Sequence, residues 1–495
     1  MLFALFFWLC TRARRSYVRL RPHTAGQRRR CTVISVLVAV AFIFALWSTP
    51  ILPQSKLLAE RLGLQCDEER AINFLDQLCS NYTHGYIVGP LCPALCQPTL
   101  VPDDHAIRRL TIKKCLSHGN KVVLAMTLTR RLQLANGEGG SEQRAGEVSE
   151  DVVLKASHFS GEHYRSTIDG PLGGISMAEA LELFKDLMDA FVSPYRTNST
   201  ALLKFMDRYG LAPPSSTPPL PPPSTAQLHS LWSLLDQEEF VHLMLLANSG
   251  VTPNLIGSCG HAYLVPSRPP PSAFNLMLLP HISWRERVRT ALGFLTLEQR
   301  LASTRYGVFH LCDVKGENFG VRRQATTCSD NSENVHALSS HDTEWADDPG
   351  VRMERNTDES SECRNELEVE AIDIDISFFE RKMKEMLGQP RCDTDEECEF
   401  FDCHAYCDKW RRQCADVRSN HNLHVLCRKI FIGTKTQVGL LWSAPVRIRH
   451  NLHLLLTECS DYTATTDTRL MTERLRTLLL EELNPRKRTQ RQKAL

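Results

Sequence analysis

The stretch "HLCDVKGENFGV", residues 310–321, sets Asp313, Lys315 and Asn318 at D-x-K-x-x-N spacing and then runs into apolar residues. Phosphotransferase catalytic loops have this spacing. There an aspartate accepts the proton of the attacking hydroxyl, and an asparagine five residues on helps to hold a metal ion. A surface turn can spell the same short pattern, so the flanking sequence has to decide between them.

Working outward, the other parts of such a site follow in order. "EDVVLKASHF" reads as a β-strand and carries Lys155, where a lysine would hold the α- and β-phosphates. The helical run "LLDQEEFVHLMLLANSG" offers Glu239 or Glu238 to orient that lysine. "EAIDID" places Asp373 after two apolar residues, where an aspartate would hold the ions that bridge the phosphates. Around these parts, "TIKKCLSHGNKVVLAMTL" reads as strands and "PNLIGSCGHAYLVP" as two short strands joined by a turn. "SWRERVRTALGFLTLEQRLAS" is an amphipathic helix capped by Ser283, "LEVEAIDIDISFF" is a strand, and "DTRLMTERLRTLLLEELN" is a final helix. This order predicts an α+β chain with a bilobal protein-kinase-like fold, disulfide-rich additions and one preceding transmembrane helix.

The pattern also has breaks. The first strand turn, "LSHGN", holds one glycine and no G-x-G-x-x-G, while "GEGGSEQ" reads as a plain turn. His310 lies three residues before Asp313 rather than two. Asp375 stands where a D-F-G glycine would be, and no activation segment follows it. "IDGPLGGISMAEAL" has EF-hand spacing with Glu179 at position 12. However, Ile168, Gly170 and Leu172 fall at positions 1, 3 and 5, where calcium needs oxygen ligands, so calcium binding is not expected there.

Compartment follows from the N-terminus. Residues 31–52, "CTVISVLVAVAFIFALWSTPIL", carry no charge and approach the ~20 apolar residues that cross a bilayer. The preceding arm, 1–30, is rich in arginine and has no acidic residue, which predicts a single-pass type II anchor with the bulk of the chain lumenal. The formal net charge of +1 argues against nucleic-acid binding. Of the 18 cysteines, all but Cys10 and Cys31 follow the span, where an oxidising lumen favours disulfides. The candidates are Cys66, Cys79, Cys92, Cys96, Cys115, Cys392, Cys398, Cys403, Cys407, Cys414 and Cys427. Zinc is the competing reading of the 392–414 cluster. Asn81 and Asn198 sit in glycosylation sequons.

The expected organisation is a cysteine-rich cap (56–115), an N-lobe (116–265) and a C-lobe (266–484). The N-lobe holds an EF-hand-like insert at 168–179 and a Pro-rich linker at 212–224. The C-lobe holds an acidic insert at 322–366 and a cysteine cluster at 392–427, and a basic tail (485–495) closes the chain.

"CSNYTHGYIVGPLCPALC", "EEFVHLMLLANSGVTPNLIGSCGHAYLV", "CDVKGENFGV" and "RCDTDEECEFFDCHAYCDKWRRQC" also carry a family resemblance. The chain resembles the first subfamily of the divergent protein-kinase-domain proteins, cysteine-rich type II membrane proteins of the endoplasmic reticulum. The resemblance implies a kinase-like fold, lumenal residence and an EF-hand inserted in the small lobe. Three readings follow. The first is a lumenal domain that binds ATP with Mg²⁺ or Mn²⁺ and phosphorylates secretory-pathway proteins or glycans. The second is a pseudokinase that serves as an interaction module, and the third a disulfide-rich structural ectodomain without nucleotide. On the first, Asp313 is the base with Lys315 beside it, Asn318 and Asp373 are metal ligands, and Lys155 with Glu239 anchors the phosphates.

Overall fold

Strict alternation builds the sheet. Val122, Leu124, Met126 and Leu128 are all buried along one face of a strand, and Val152, Leu154 and Ala156 repeat the pattern on its neighbour. The computed structural model describes residues 68–98, 107–117, 121–131, 147–158, 224–271, 282–323, 367–388, 391–434, 437–461 and 467–483, with 179, 182 and 186. All belong to the unit Glu68–Leu495. The apolar run 31–52, Cys66, Asn198, the Pro-rich linker up to residue 223 and the EF-hand-like loop other than Glu179 lie outside them. Among the described helices none is long and apolar enough to cross a membrane.

Helices α1 (Glu68–Thr83) and α2 (Cys92–Cys96) precede strands β1 (Ile107–Cys115), β2 (Val122–Arg131) and β3 (Glu147–Ala156). Next come helices α3 (Thr225–Leu235) and α4 (Glu238–Leu245), then strands β4 (Gly257–Cys259) and β5 (Ala262–Pro266). The five strands form one antiparallel sheet in the order β1-β2-β3-β5-β4. Residues 107–115 are therefore an edge strand of the sheet and not part of the cap. The bond between Cys92 and Cys259 ties α2 to β4, and that between Cys79 and Cys96 ties α1 to α2. Asn81 lies half-buried in the last turn of α1.

The run 234–250, expected as one helix, is broken at Asp236–Gln237. The buried Gln237 side chain donates to Ser233 O at 2.7 Å and His261 O at 2.8 Å, and accepts from Ser157 N at 2.8 Å. The break also pins α4 against β3 and β5. Ser224, the last residue of the expected linker, instead caps α3 through a capping box with Gln227.

Helix α5 (Trp284–Ala302) is capped as expected, Ser283 accepting from Glu286 N. Strand β6 (Phe309–Leu311), a single 3₁₀ turn (Gly316–Asn318) and strand β7 (Phe319–Arg323) follow. "LEVEAIDIDISFF" is two strands, not one. β8 (Leu367–Ala371) pairs with β7, and β9 (Ser377–Phe379) pairs with β6, leaving residues 372–376 as a connecting loop. Arg322 and Arg323 pair with Glu368 and Leu367, so the acidic insert leaves the fold past residue 323 rather than at 322. Gly293 lets α5 lie against this hairpin, because a Cβ there would sit 2.8 Å from Val369 Cγ2.

Helix α6 (Glu380–Gly388) leads into the cysteine cluster. It forms a three-stranded sheet of β10 (Glu399–Phe400), β11 (Cys403–Asp408) and β12 (Gln413–Arg418). Cys392–Cys407 and Cys398–Cys414 close it, so the sulfurs that a zinc ion would need are in disulfides. Helix α7 (Asn422–Leu426), a π-helical turn (Cys427–Ile432), α8 (Val446–Ser460) and α9 (Thr468–Leu483) complete the described chain. Cys427–Cys459 joins the turn to α8. Phe294, Phe309, Phe319, Phe379 and Phe431 centre a continuous apolar core beneath the loop at 312–318. The result is a mixed α/β domain with several disulfides.

Candidate active site

Lys155 stands on β3 in a run whose neighbours Leu154 and Ala156 face the core, so the pleat turns it to the opposite face. Its Nζ lies 2.5 Å from Glu239 Oε1 and donates to Ile372 O at 2.7 Å. Between the two glutamates the sequence offered, the fold brings Glu239 to Lys155. Glu239 is buried on α4, where its other oxygen accepts from Tyr263 Oη at 2.9 Å and from Lys121 Nζ at 2.8 Å. Burial alone would push this carboxyl up, but the two ammonium groups hold it well below the usual carboxylate range.

The loop after β6 presents Asp313. Asn318 Nδ2 donates to Asp313 Oδ2 at 3.1 Å and to Asp313 O at 2.9 Å, and Lys315 Nζ lies 3.1 Å from Asp313 Oδ2. The 3₁₀ turn brings residues five apart into this contact. Asn318 O accepts from Ile372 N at 2.9 Å, which fastens the Asp313 loop to the loop that carries Asp373. Ile372 thus bonds Asn318 through its N–H and Lys155 through its carbonyl. One backbone residue links the two halves of the site.

Asp373 and Asp375 bracket Ile374 on this loop. Carboxylate oxygens of Glu239, Asp373 and Asp375 lie within 4.8 Å of one another. Asp375 is pushed up to about 7 by burial and by the charge of Glu239, against the pull of Lys121. Its side chain is 44% exposed, so water tempers that shift. The Asn318 amide nitrogen is committed to Asp313, so the carbonyl oxygen is the atom Asn318 has to offer an ion. With the carboxylates of Asp373 and Asp375 it makes an all-oxygen donor set, which suits Mg²⁺ or Mn²⁺ and not a thiophilic metal.

Residues 231–368 and 362–462 match the family described as the protein-kinase domain of FAM69. The chain carries a divergent protein-kinase-like domain. The match begins at residue 231, so β1 to β3 of this kinase-like chain, with Lys121 and Lys155, precede it. No solved structure matches the chain.

In this kinase-like domain the cysteine cluster holds the Asp313 loop, a role that sequence reading missed. Cys312, which was not among the singled-out cysteines, is bonded to Cys403. The neighbouring Asp402 accepts from Val314 N at 2.8 Å, takes a bond from Lys429 Nζ at 2.6 Å and donates its own N–H to Cys312 O at 2.8 Å. Cys259 and Cys459 were likewise not singled out, and Cys115 is disulfide-bonded. The available signal was that a cysteine adjoins each of Asp313 and Asp402.

His310 is structural. Its Nδ1 accepts from Arg418 Nη1 at 3.2 Å, and its Nε2–H donates to Glu380 Oε2 at 2.7 Å, the pattern of a neutral ring. Burial lowers its pKa in keeping with this. Lys121, Tyr263 and Asp375 complete the residues around Glu239. Lys121 escaped notice because it lies outside every motif. Its only signal is its place at the head of "KVVLAMTLTR", the strand whose Val123 pairs with Lys155.

Proposed function

We propose that this domain is a two-lobed kinase-like module that binds ATP with Mg²⁺ or Mn²⁺ between its sheet and its helical part. On this reading it transfers phosphate to a secretory-pathway protein or glycan. The observation that supports it most is the joining of Lys155, Glu239, Asp313, Asn318 and the Asp373 loop, from five separate elements, through Ile372. Phosphoryl transfer asks the protein mainly for position and charge, and these groups supply both. Lys155, held by Glu239, binds the phosphates. Asp313, oriented by Asn318 and Lys315, receives the proton of the attacking hydroxyl. Asn318 and Asp373 would hold the metal, which neutralises charge on the transferred group. The arginine-rich arm and apolar run of the N-terminus support a type II anchor in the endoplasmic reticulum membrane, with this domain on the lumenal side.

A second reading, a pseudokinase acting as an interaction module, draws support from Lys121 resting on Asp373 and Asp375 and from the missing glycine-rich loop. The melting temperature of the full chain, followed against ATP with Mg²⁺, with Mn²⁺ and with neither, tests the nucleotide site. A metal-dependent rise that Asp373→Ala removes is expected, because a ligand that binds only the native state must stabilise it. No rise under any condition, with the protein folded, rejects the nucleotide site and leaves the interaction module. Where the rise is seen, transfer of labelled γ-phosphate to secretory-pathway acceptors separates turnover from binding alone.

A further inference from the structure

The turn between β1 and β2 lies where a kinase would place its glycine-rich phosphate loop, and this chain has no such loop. What it has is Lys121, the residue immediately before β2. Its Nζ lies 2.8 Å from Glu239 Oε2, 2.6 Å from Asp375 Oδ2 and 3.2 Å from Asp373 Oδ1. Lys155 approaches the opposite oxygen of Glu239 and is 9% exposed, whereas Lys121 is 25% exposed and faces the open side. The two lysines are therefore not equivalent. Lys155 is a fixed part of the buried framework, while Lys121 is a long, flexible side chain on the carboxylates that a divalent ion needs.

Resting on the nucleotide-and-metal reading above, we propose that Lys121 is a tethered counter-ion that occupies the cation position of Asp373 and Asp375 and must leave before a divalent ion can bind. Three carboxylates meet two ammonium groups here, an excess of one negative charge. A divalent ion added while Lys121 stays would reverse that excess and bring two cations together, so the ion and the ammonium exclude each other. Nucleotide phosphates give the released ammonium a new partner on the same side of the cleft. Nucleotide and metal therefore enter together, and metal alone binds weakly. The carboxylates explain the ordering: Lys121 shares its charge among three acids, so no single one can release it, and a strongly anionic ligand is needed to draw it away. Lys121 is a positioning residue on this account.

The test uses Mn²⁺ alone, without nucleotide, on the full-length chain, with bound ion read from loss of the free-Mn²⁺ paramagnetic resonance signal. Lys121→Met, which keeps the length of the side chain and removes its charge, is expected to tighten Mn²⁺ binding by roughly tenfold to a hundredfold, since removing one neighbouring cation shifts a carboxylate site by about one to two pK units. Adding Asp373→Asn is expected to abolish the gain. Lys121→Arg, which keeps the charge, should bind Mn²⁺ as weakly as the parent. Equal Mn²⁺ affinity in Lys121→Met and parent, both shown folded by their melting curves, overturns the proposal, and so does an equal gain in Lys121→Arg. ATP calorimetry on the same samples separates the two ideas. A Mn²⁺ gain without any ATP binding rejects the nucleotide reading and upholds the counter-ion. ATP binding without a Mn²⁺ gain rejects the counter-ion alone.

Discussion

The carboxylate of Asp402 accepts the backbone N–H of Val314, one residue past Asp313, at 2.8 Å. Asp402 is 6% exposed and sits between Phe401 and Cys403, inside a disulfide-closed module that has no counterpart in the short D-x-K-x-x-N motif. The placement of Asp313 is therefore set by residues nearly a hundred positions downstream.

Asp402→Asn should weaken this platform. It removes the negative charge that Lys429 and the Val314 N–H share, while leaving the shape of the side chain. A hydrogen bond to a charged group contributes about 1.5–3 kcal/mol, and a loss of that size is expected in urea unfolding. A change below about 0.5 kcal/mol would mean that the loop is held by its apolar packing instead.

The Cys312–Cys403 bond carries a second expectation. It closes a loop with a sequence separation of 91 residues, so its removal frees much of the unfolded chain. Replacing both cysteines by alanine should lower the unfolding free energy by about 2–5 kcal/mol. Both sulfurs are fully buried, so mild reductant should leave the bond intact until the domain opens. Thiol labelling over time, with and without denaturant, checks this.

Glu239 takes bonds from Lys155, Lys121 and Tyr263. Glu239→Ala would leave a buried ammonium without its counter-charge, and a loss of about 3–5 kcal/mol is expected. Glu238→Ala, one residue away and not paired with Lys155, should cost far less. Equal losses would remove Glu239 from its central position.

Glu298 gives a pH dependence of opposite sign to a salt-bridged acid. Burial between α5 and α9 raises its carboxyl from the ordinary 4.5 to about 7, against the hydrogen bond from Thr472 and the charge of Arg476. The folded state prefers the neutral acid, so ionisation costs stability above pH 7, and the cost disappears as the pH falls towards 4.5. Glu298→Gln should therefore stabilise the domain at pH 8 by at most about 3 kcal/mol and match the parent near pH 4.5. Melting curves of both proteins across that range decide it. A glutamine variant that is less stable at pH 8 would show that the charged form is the one the fold accommodates.

The sequence by itself determined whatever depends on near neighbours. The five-residue spacing of Asp313 and Asn318 was legible because one 3₁₀ turn closes it, and Lys155 because a strand turns alternate residues to opposite faces. The strands of the sheet, the Ser283 cap and the last helix followed from periodicity and local hydrogen bonding. The split of 234–250 at Gln237 was not legible, because the side-chain bonds that break it reach Ser157 and His261, far away in the chain. Only tertiary structure decided between Glu238 and Glu239, paired Cys403 with Cys312, and set Asp402 beneath the loop. It alone put Lys121 on Asp373 and Asp375, more than 250 residues apart in sequence. Charges act through space and disulfides through Cα separation, and neither quantity is written in the order of residues.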